Sequence, residues 1–186
     1  YQKIYQEKDH ILTQAIQIVD TKDELKEVKR IEGFDNIQEF YIWEDILVVI
    51  ENKYLDTMQT SAPVMEKIMI CGVEDYGSYS NRYHEITFYN IKDRSMPYRI
   101  HTFTLNGAYD SSRISDGYFY GFSKFYANPG EGEEDYAAYI PLVDGVQLGA
   151  GRILLPKENE GNCYLVLTSV DLRNPTKERA IFYPFQ

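Results

Sequence analysis

The chain is 186 residues long, 44% hydrophobic and 15% aromatic, enough apolar material to bury a core as one domain or as a piece of a larger one. Its formal net charge of −10 argues against nucleic acid, because phosphate binding needs clustered Lys and Arg; the charge reads as solubility or as attraction to cations and basic partners. No run of about 18 apolar residues occurs, so no segment reads as a membrane span.

The opening "YQKIYQEKDH" has no n-region, apolar h-region or cleavage site and no initiator Met, so residues 1–12 read as a flank of a trimmed or mature fragment. "AIQIVDTKD" (Ala15 to Asp23) and "LKEVKRIEG" (ending at Gly33) then read as two strands around a turn, although "TKDELKEVKR" alone has helical character. "EFYIWED" and "ILVVIENKY" form the next pair, pivoting on Glu44-Asp45. A long insertion follows from Leu55 to Tyr83, with a further strand expected in "EKIMICGVED" and a tyrosine-rich tip carrying Tyr76, Tyr79 and Tyr83. "EITFYNIKD" alternates and ends in the turn formers Asn90 to Asp93, and "YRIHTFTL" alternates up to Asn106-Gly107, a turn dipeptide. "SSRISDG" and "YFYGFSKFY" make a hairpin on Asp116-Gly117. The second insertion, Ala127 to Asn162, opens "NPGEGEEDY", runs through "PLVDG" and has a strand expected at "RILLP". "YLVLTSVDL" and "KERAIFYPF" close the chain as strands.

The order repeats. "AIQIVDTKD" matches "EITFYNIKD" at a shift of 70 residues, Gly33 stands where Gly107 stands, Glu44-Asp45 stands where Asp116-Gly117 stands, and "VDLRNP" echoes "YNIKDRSMP". Seventeen Tyr and nine Phe against one Trp fit pleated, half-buried strands. The expected fold is all-β: a partial β-propeller of about two and a half four-stranded antiparallel blades with long insertions. Its parts are a half blade at 13–33, a blade at 34–107 and a blade at 108–186. An open arc of blades leaves end faces without a neighbour, so self-association is expected through Ile16, Ile18, Val28 and Ile31 at one end and Phe182, Tyr183 and Phe185 at the other.

The stretch "FYNIKDRSMPYRIHTFTLNGAYDSSRISDGYFY" resembles the C-terminal β-propeller domain of secreted or surface-attached bacterial and archaeal proteins of largely uncharacterised function. Tyr89 to Pro97 match that family's "YDISDRSNP"-like turn, Gly107 its strand-ending glycine, and Ser111, Ser112 and Arg113 its "SSR" segment. The likeness runs from about Thr13 to the C-terminus. An acidic segment usual before the first blade is not visible here, nor are the remaining blades, so the resemblance implies a partial propeller. It also implies an extracellular or cell-envelope setting, and it carries no catalytic residues with it.

Chemistry-bearing patterns are sparse. His10, His84 and His101 lack ligand spacing, and His101 within an alternating strand reads as a structural residue. No G-x-S-x-G, H-E-x-x-H, P-loop or dinucleotide fingerprint occurs, so no cofactor is expected. "GAGRIL" (Gly149 to Leu154) reads as a turn, and "GEGEEDY" as a solvated acidic tip more than a cation loop. Cys71 and Cys163 read as two buried free thiols, with a single bridge as the alternative. Arg113 is the most suggestive single residue: a blade's first strand lines the central channel, where an Arg grips anions, unless Arg113 pairs with Asp110 or a backbone carbonyl. Tyr76, Tyr79 and Tyr83 offer a stacking platform for sugars, or are scattered surface tyrosines. The expected role is a non-catalytic binding or scaffolding module of the bacterial exterior with a protein or glycan partner. The alternative is a polysaccharide hydrolase drawing its carboxylates from Glu39, Glu44, Asp45, Asp110 or Asp116, two of which would have to face each other about 5–10 Å apart across a cleft.

Overall fold

The computed structural model describes residues 1–8, 11–22, 25–54, 82–127, 140–147, 149–154 and 163–185. Three antiparallel sheets follow one another along the chain. The first holds β1 (Gln2–Lys8), β2 (Ile11–Asp20) and β3 (Lys26–Phe34) in that order. The second is built on β4 (Ile37–Trp43), β5 (Ile46–Tyr54), β6 (Arg82–Asn90) and β7 (Tyr98–Asn106), each paired with the next. The third holds β8 (Ala108–Ser115), β9 (Tyr118–Tyr126), β12 (Cys163–Asp171) and β13 (Glu178–Phe185), also paired in chain order. No α-helix occurs among the described residues, and "KEVKR" is strand, as its neighbours demand. The fold is all-β, with sheets in series.

Two hairpins show why the turns fall where they do. Asp116 and Gly117 both take positive φ (52° and 78°), the left-handed pair that lets a two-residue loop match the twist of its strands. Glu44 takes φ 50° at the corresponding point of the second sheet, and the two turns share a further contact. The amide of Ile91 donates to the Asp45 carbonyl (2.8 Å), and that of Leu172 donates to the Gly117 carbonyl (2.9 Å). Asn106-Gly107 behaves differently. It makes no hairpin but carries the chain from β7 in one sheet to β8 in the next. Gly107 has φ 102°, and a Cβ there would stand 2.7 Å from the Lys124 carbonyl oxygen, so both conformation and space require glycine.

The core explains the longest apolar run. Ile46 to Ile50 on β5 are all buried. Ile46, Val48 and Ile50 join Ile86, Phe88, Phe103, Phe119, Val166 and Val170 in a core between the second and third sheets. Leu47 and Val49 join Ile16, Phe34, Ile37 and Ile91 in a core between the first and second. The second sheet is thus covered on both faces, and a strand so covered reads as a continuous hydrophobic run.

The structure departs from the sequence reading at several points. The flank at 1–12 carries β1, paired to β2 along its length from Gln2↔Gln17 to Lys8↔Ile11, so the first sheet has three strands. Ile16 (0% exposed) and Ile18 (3%) are buried within the chain, and Ile31 packs on the same core; only Val28 of the four is exposed. Three of the four residues expected at an N-terminal association surface therefore face the chain's own core. The outward residues of the first sheet are mixed: Gln17 and Arg30 are both bonded to Glu27 and Gln6 to Glu32, beside exposed Tyr5, Leu12 and Val28. Phe182, Tyr183 and Phe185 lie on β13, with side chains outside the described set.

In the second insertion, the described part of "RILLP", residues 152–154, forms no extended strand. Ala150–Arg152 form a single 3-10 turn, and the added strands are β10 (Leu142–Val143) and β11 (Val146–Gln147), joined by Asp144-Gly145. They do not extend the sheet whose strands flank them. β10 pairs with β7, Val143 opposite Leu105, and lengthens the second sheet to six strands. The insertion is a strap across two sheets. "EKIMICGVED" and "NPGEGEEDY" lie outside the described residues.

Candidate functional site

Two places between the second and third sheets gather polar side chains. The first is built on Glu39 and Tyr41, two residues apart on β4 and so on one face, and on Tyr109 and Ser112 of β8. The phenol of Tyr41 donates to Glu39 Oε2, which also accepts from the Tyr109 hydroxyl (2.8 Å) and from Ser112 Oγ (3.2 Å). Tyr109 and Ser112 hydroxyls lie 2.7 Å apart, and Tyr41 Oη lies 2.9 Å from the Ser112 carbonyl. Burial first, and then the Glu39 carboxylate, push the Tyr41 phenol above its ordinary pKa. Burial and Glu39 do the same to Tyr109, against the opposing hydrogen bond from Ser112. Both phenols therefore stay protonated donors at neutral pH. A nucleophilic phenol would need the opposite shift, so the arrangement is chemically a clasp that ties β4 to β8. His84 sits beside it: its ring lies 6.2 Å from that of Tyr109, and Nδ1 lies 3.1 Å from the Gly107 carbonyl. Burial lowers the His84 pKa to about 4, leaving the imidazole neutral.

The second place is an open cleft of about 650 Å³ under the strap. Its floor is His101 and Phe103 on β7, stacked edge to face at 4.4 Å. Val143, Asp144, Val146 and Gln147 of the β10–β11 hairpin form one wall; Arg152 and the segment Thr176 to Glu178 form the other. Local bonds fix the hairpin in place. Asp144 Oδ1 accepts from the Thr104 amide (2.7 Å), the Asp144 amide donates to the Thr104 carbonyl (2.8 Å), and Asn106 Oδ1 accepts from the Leu142 amide (2.5 Å). Within that second wall Arg152 Nη1 meets Glu178 Oε1 at 3.4 Å, while Glu178 Oε2 is shut off from solvent and has no hydrogen-bond partner among the described residues. The volume lies within the range of ordinary ligand pockets, about 300–1,000 Å³.

The residues singled out from the sequence are dispersed. Arg113 is exposed on the face of the third sheet turned away from the second, its guanidinium 5.9 Å from the Phe122 ring centre. Asp110 pairs with Lys124 (2.5 Å), not with Arg113. Tyr83 is half-buried on β6, its phenol pKa raised by burial and then by Glu85; Tyr76 and Tyr79 lie outside the described residues. Asp45 meets Arg94 (3.4 Å) in the β4–β5 turn, Glu44 takes that turn's left-handed position, and Asp116 serves the β8–β9 turn. None of Glu39, Glu44, Asp45, Asp110 and Asp116 lines the cleft. His101, read as structural, does line it. His10, Cys71 and "GEGEEDY" lie outside the described residues, and Cys163 is a free, buried thiol whose pKa burial raises. Among the described residues no group of three His, Cys, Asp or Glu is placed to hold a metal ion, and no helix is long and apolar enough to cross a membrane.

Sequence reasoning missed the cleft because its floor and walls come from segments about 40 to 75 residues apart, brought together by the strap's pairing with β7. The one local signal was Asp144-Gly145, a hairpin dipeptide inside "PLVDG". Among known families, a model described as a beta propeller domain matches residues 2–183. No curated protein and no solved structure matches the chain.

Proposed function

This chain belongs to the beta propeller domain family, and from that premise we propose that it is a non-catalytic binding and scaffolding module of the bacterial cell exterior, with a protein or glycan as partner. Propellers host many unrelated activities, so the fold alone assigns nothing and the site must carry the argument. The observation that carries it is the cleft: a concave, partly apolar site walled by two sheets and held by a strap with its own hydrogen bonds. Sites of that build hold ligands. Hydrolysis is the weaker reading. The carboxylates considered for it serve turns and ion pairs, and the phenols on Glu39 are held in their protonated form. The exterior setting rests on the likeness of Tyr89 to Tyr120 to secreted propellers. The same reading expects self-association through the outward face of the third sheet, where Tyr120, Phe122, Leu165 and Leu167 are only half-covered. Sedimentation showing a monomer at high concentration would remove that part.

The experiment is a paired screen of the purified protein on a glycan array and a peptide array, run beside a panel of chromogenic glycosides. Saturable binding without turnover is the expected result. Turnover of any glycoside, abolished by a change at Glu39, would overturn it in favour of the hydrolase. Blank arrays with no turnover would leave neither reading standing.

A further inference from the structure

We propose that copies of this chain associate head to tail, the outward face of the third sheet in one copy packing on the outward face of the first sheet in the next. The inference rests on the self-association expected of the third sheet and deepens it by naming the surface that answers it.

The repeat gives the sheets a polarity. The second sheet turns one face to the first sheet and the other to the third. On the face that the third sheet covers stand Val48 and Ile50 of β5, with Phe88 and Ile86 opposite them on β6. Tyr120 and Phe122 of β9 stand equally far beyond their own hairpin turn, with Ser169 and Leu167 opposite them on β12. Phe119, Val166 and Val170 alternate with these residues and fill the core against the second sheet, so Tyr120, Phe122 and Leu167 point away from it. All three are only half-covered. The third sheet thus presents outward the kind of surface that the second sheet buries against the third.

The answering surface should resemble the one that the second sheet turns to the first. That face carries Glu51 on β5 and, paired beside it on β6, Glu85 and Thr87. The shift of 70 puts Ala15 and Gln17 at the positions of Glu85 and Thr87. Ile4 pairs with Ala15 as Glu51 pairs with Glu85, so Ile4 holds the place of Glu51. Lys3, Gln14 and Ile16 face the second sheet, and Ile4, Ala15 and Gln17 alternate with them on the outward face. Two carboxylates that one junction already covers are replaced there by Ile and Ala. Covering the first sheet at these positions therefore carries less desolvation cost than the fold already meets at the equivalent face of the second.

Charge selects between the two ways in which third-sheet faces could be covered. Among the described side chains, Lys124 pairs with Asp110 and Arg173 with Asp171, which leaves Arg113 as a cation in excess on the third-sheet face. On the first-sheet face Glu27 pairs with Arg30, while Glu32 bonds to the neutral Gln6 and leaves a carboxylate in excess. Head-to-tail contact brings opposite signs together, and two third-sheet faces would bring like signs together. Unlike faces that meet in this way close into a ring or continue as an open chain.

The test is sedimentation velocity of the whole chain beside two variants, Leu167→Arg on the third-sheet face and Ile4→Arg on the first-sheet face. The parent should sediment faster as its concentration rises, and each variant alone should associate at least tenfold more weakly. An equimolar mixture of the two variants should regain a dimer, because one copy keeps its first-sheet face and the other its third-sheet face. Both substitutions fall on half-covered positions and should leave the melting temperature unchanged; if either lowers it, Tyr120→Arg or Val19→Arg takes its place. Self-association of Ile4→Arg with loss only in Leu167→Arg would mean that third-sheet faces pair with one another, overturning the head-to-tail contact but not self-association. Variants that associate as the parent does, or a mixture that regains nothing, would also overturn it. A monomeric parent at high concentration would overturn association altogether and leave the binding-module reading to the arrays.

Discussion

The two junctions of the second sheet join the same kinds of surface by different chemistry. Between the second and third sheets, twelve buried residues form the described core, against six between the first and second, so the later junction carries more of the hydrophobic stabilisation. Its polar seam holds one charge, the Glu39 carboxylate, and no cation: two protonated phenols and a serine gather on it. The earlier junction leans on charge. Lys53 Nζ meets Glu51 (3.0 Å) and Asp35 (2.9 Å), and Glu51 also accepts from the Asp35 amide (3.0 Å). Burial works against the Lys53 ammonium, but its hydrogen bond to Asp35 and the field of Glu51 outweigh it and raise its pKa. A repeat therefore specifies which strands pair, while each junction is closed by side chains peculiar to it.

The largest expected effect tests which junction dominates. Phe88 meets Phe103 and Phe119 edge to face, and Phe88→Ala should cost about 3–5 kcal/mol in urea unfolding. Ile16→Ala in the smaller core should cost about 2–3 kcal/mol. The reverse order would break the comparison. Next, Lys53→Met leaves Glu51, 4% exposed, without its cation, and should cost about 3 kcal/mol. A loss below about 1 kcal/mol would mean the ion pair is as weak as a surface one.

Acid sharpens the contrast. His84 has a folded pKa of about 4 because it is buried, below its unfolded value of 6.5. The unfolded chain therefore binds a proton that the folded chain does not, and the neutral imidazole's contribution is complete above pH 6.5 and lost as pH falls toward 4. The loss should approach about 3 kcal/mol. His84→Gln should flatten that part of the profile, and an unchanged slope would remove His84 as its source. The smallest effect concerns Glu44, whose φ of 50° suits glycine better. Glu44→Gly should gain about 0.5–1 kcal/mol, read as a small rise in the urea midpoint.

How much of this was legible follows from the range of the signals. Asp116-Gly117 and Glu44-Asp45 are local, and so are the alternations around them, which is why the hairpins and sheet membership could be read from residue order. β1 was missed because the residues it turns toward the second sheet, such as Lys3, are polar; Lys3 Nζ donates to the Ile37 carbonyl (2.9 Å) where a strand would ordinarily bury an apolar group. The strap was missed because β10 and β11 are two residues each and join a sheet other than that of their flanking strands. Glu39 and Ser112 stand 73 residues apart, and no local pattern announces that they meet. Arg113 drew notice for its motif, yet its alternation with Ile114 puts it on the outer face.

Native-state hydrogen exchange tests the central claim most directly, that the second sheet is enclosed between two others with the stronger junction on the third-sheet side. Amides of β5 and β6 should exchange only through global unfolding, those of β9 and β12 nearly so, and those of β1 to β3 through a smaller opening that frees the first sheet. Exchange of β5 amides as fast as those of β2, or first-sheet amides protected to the global limit, would contradict it.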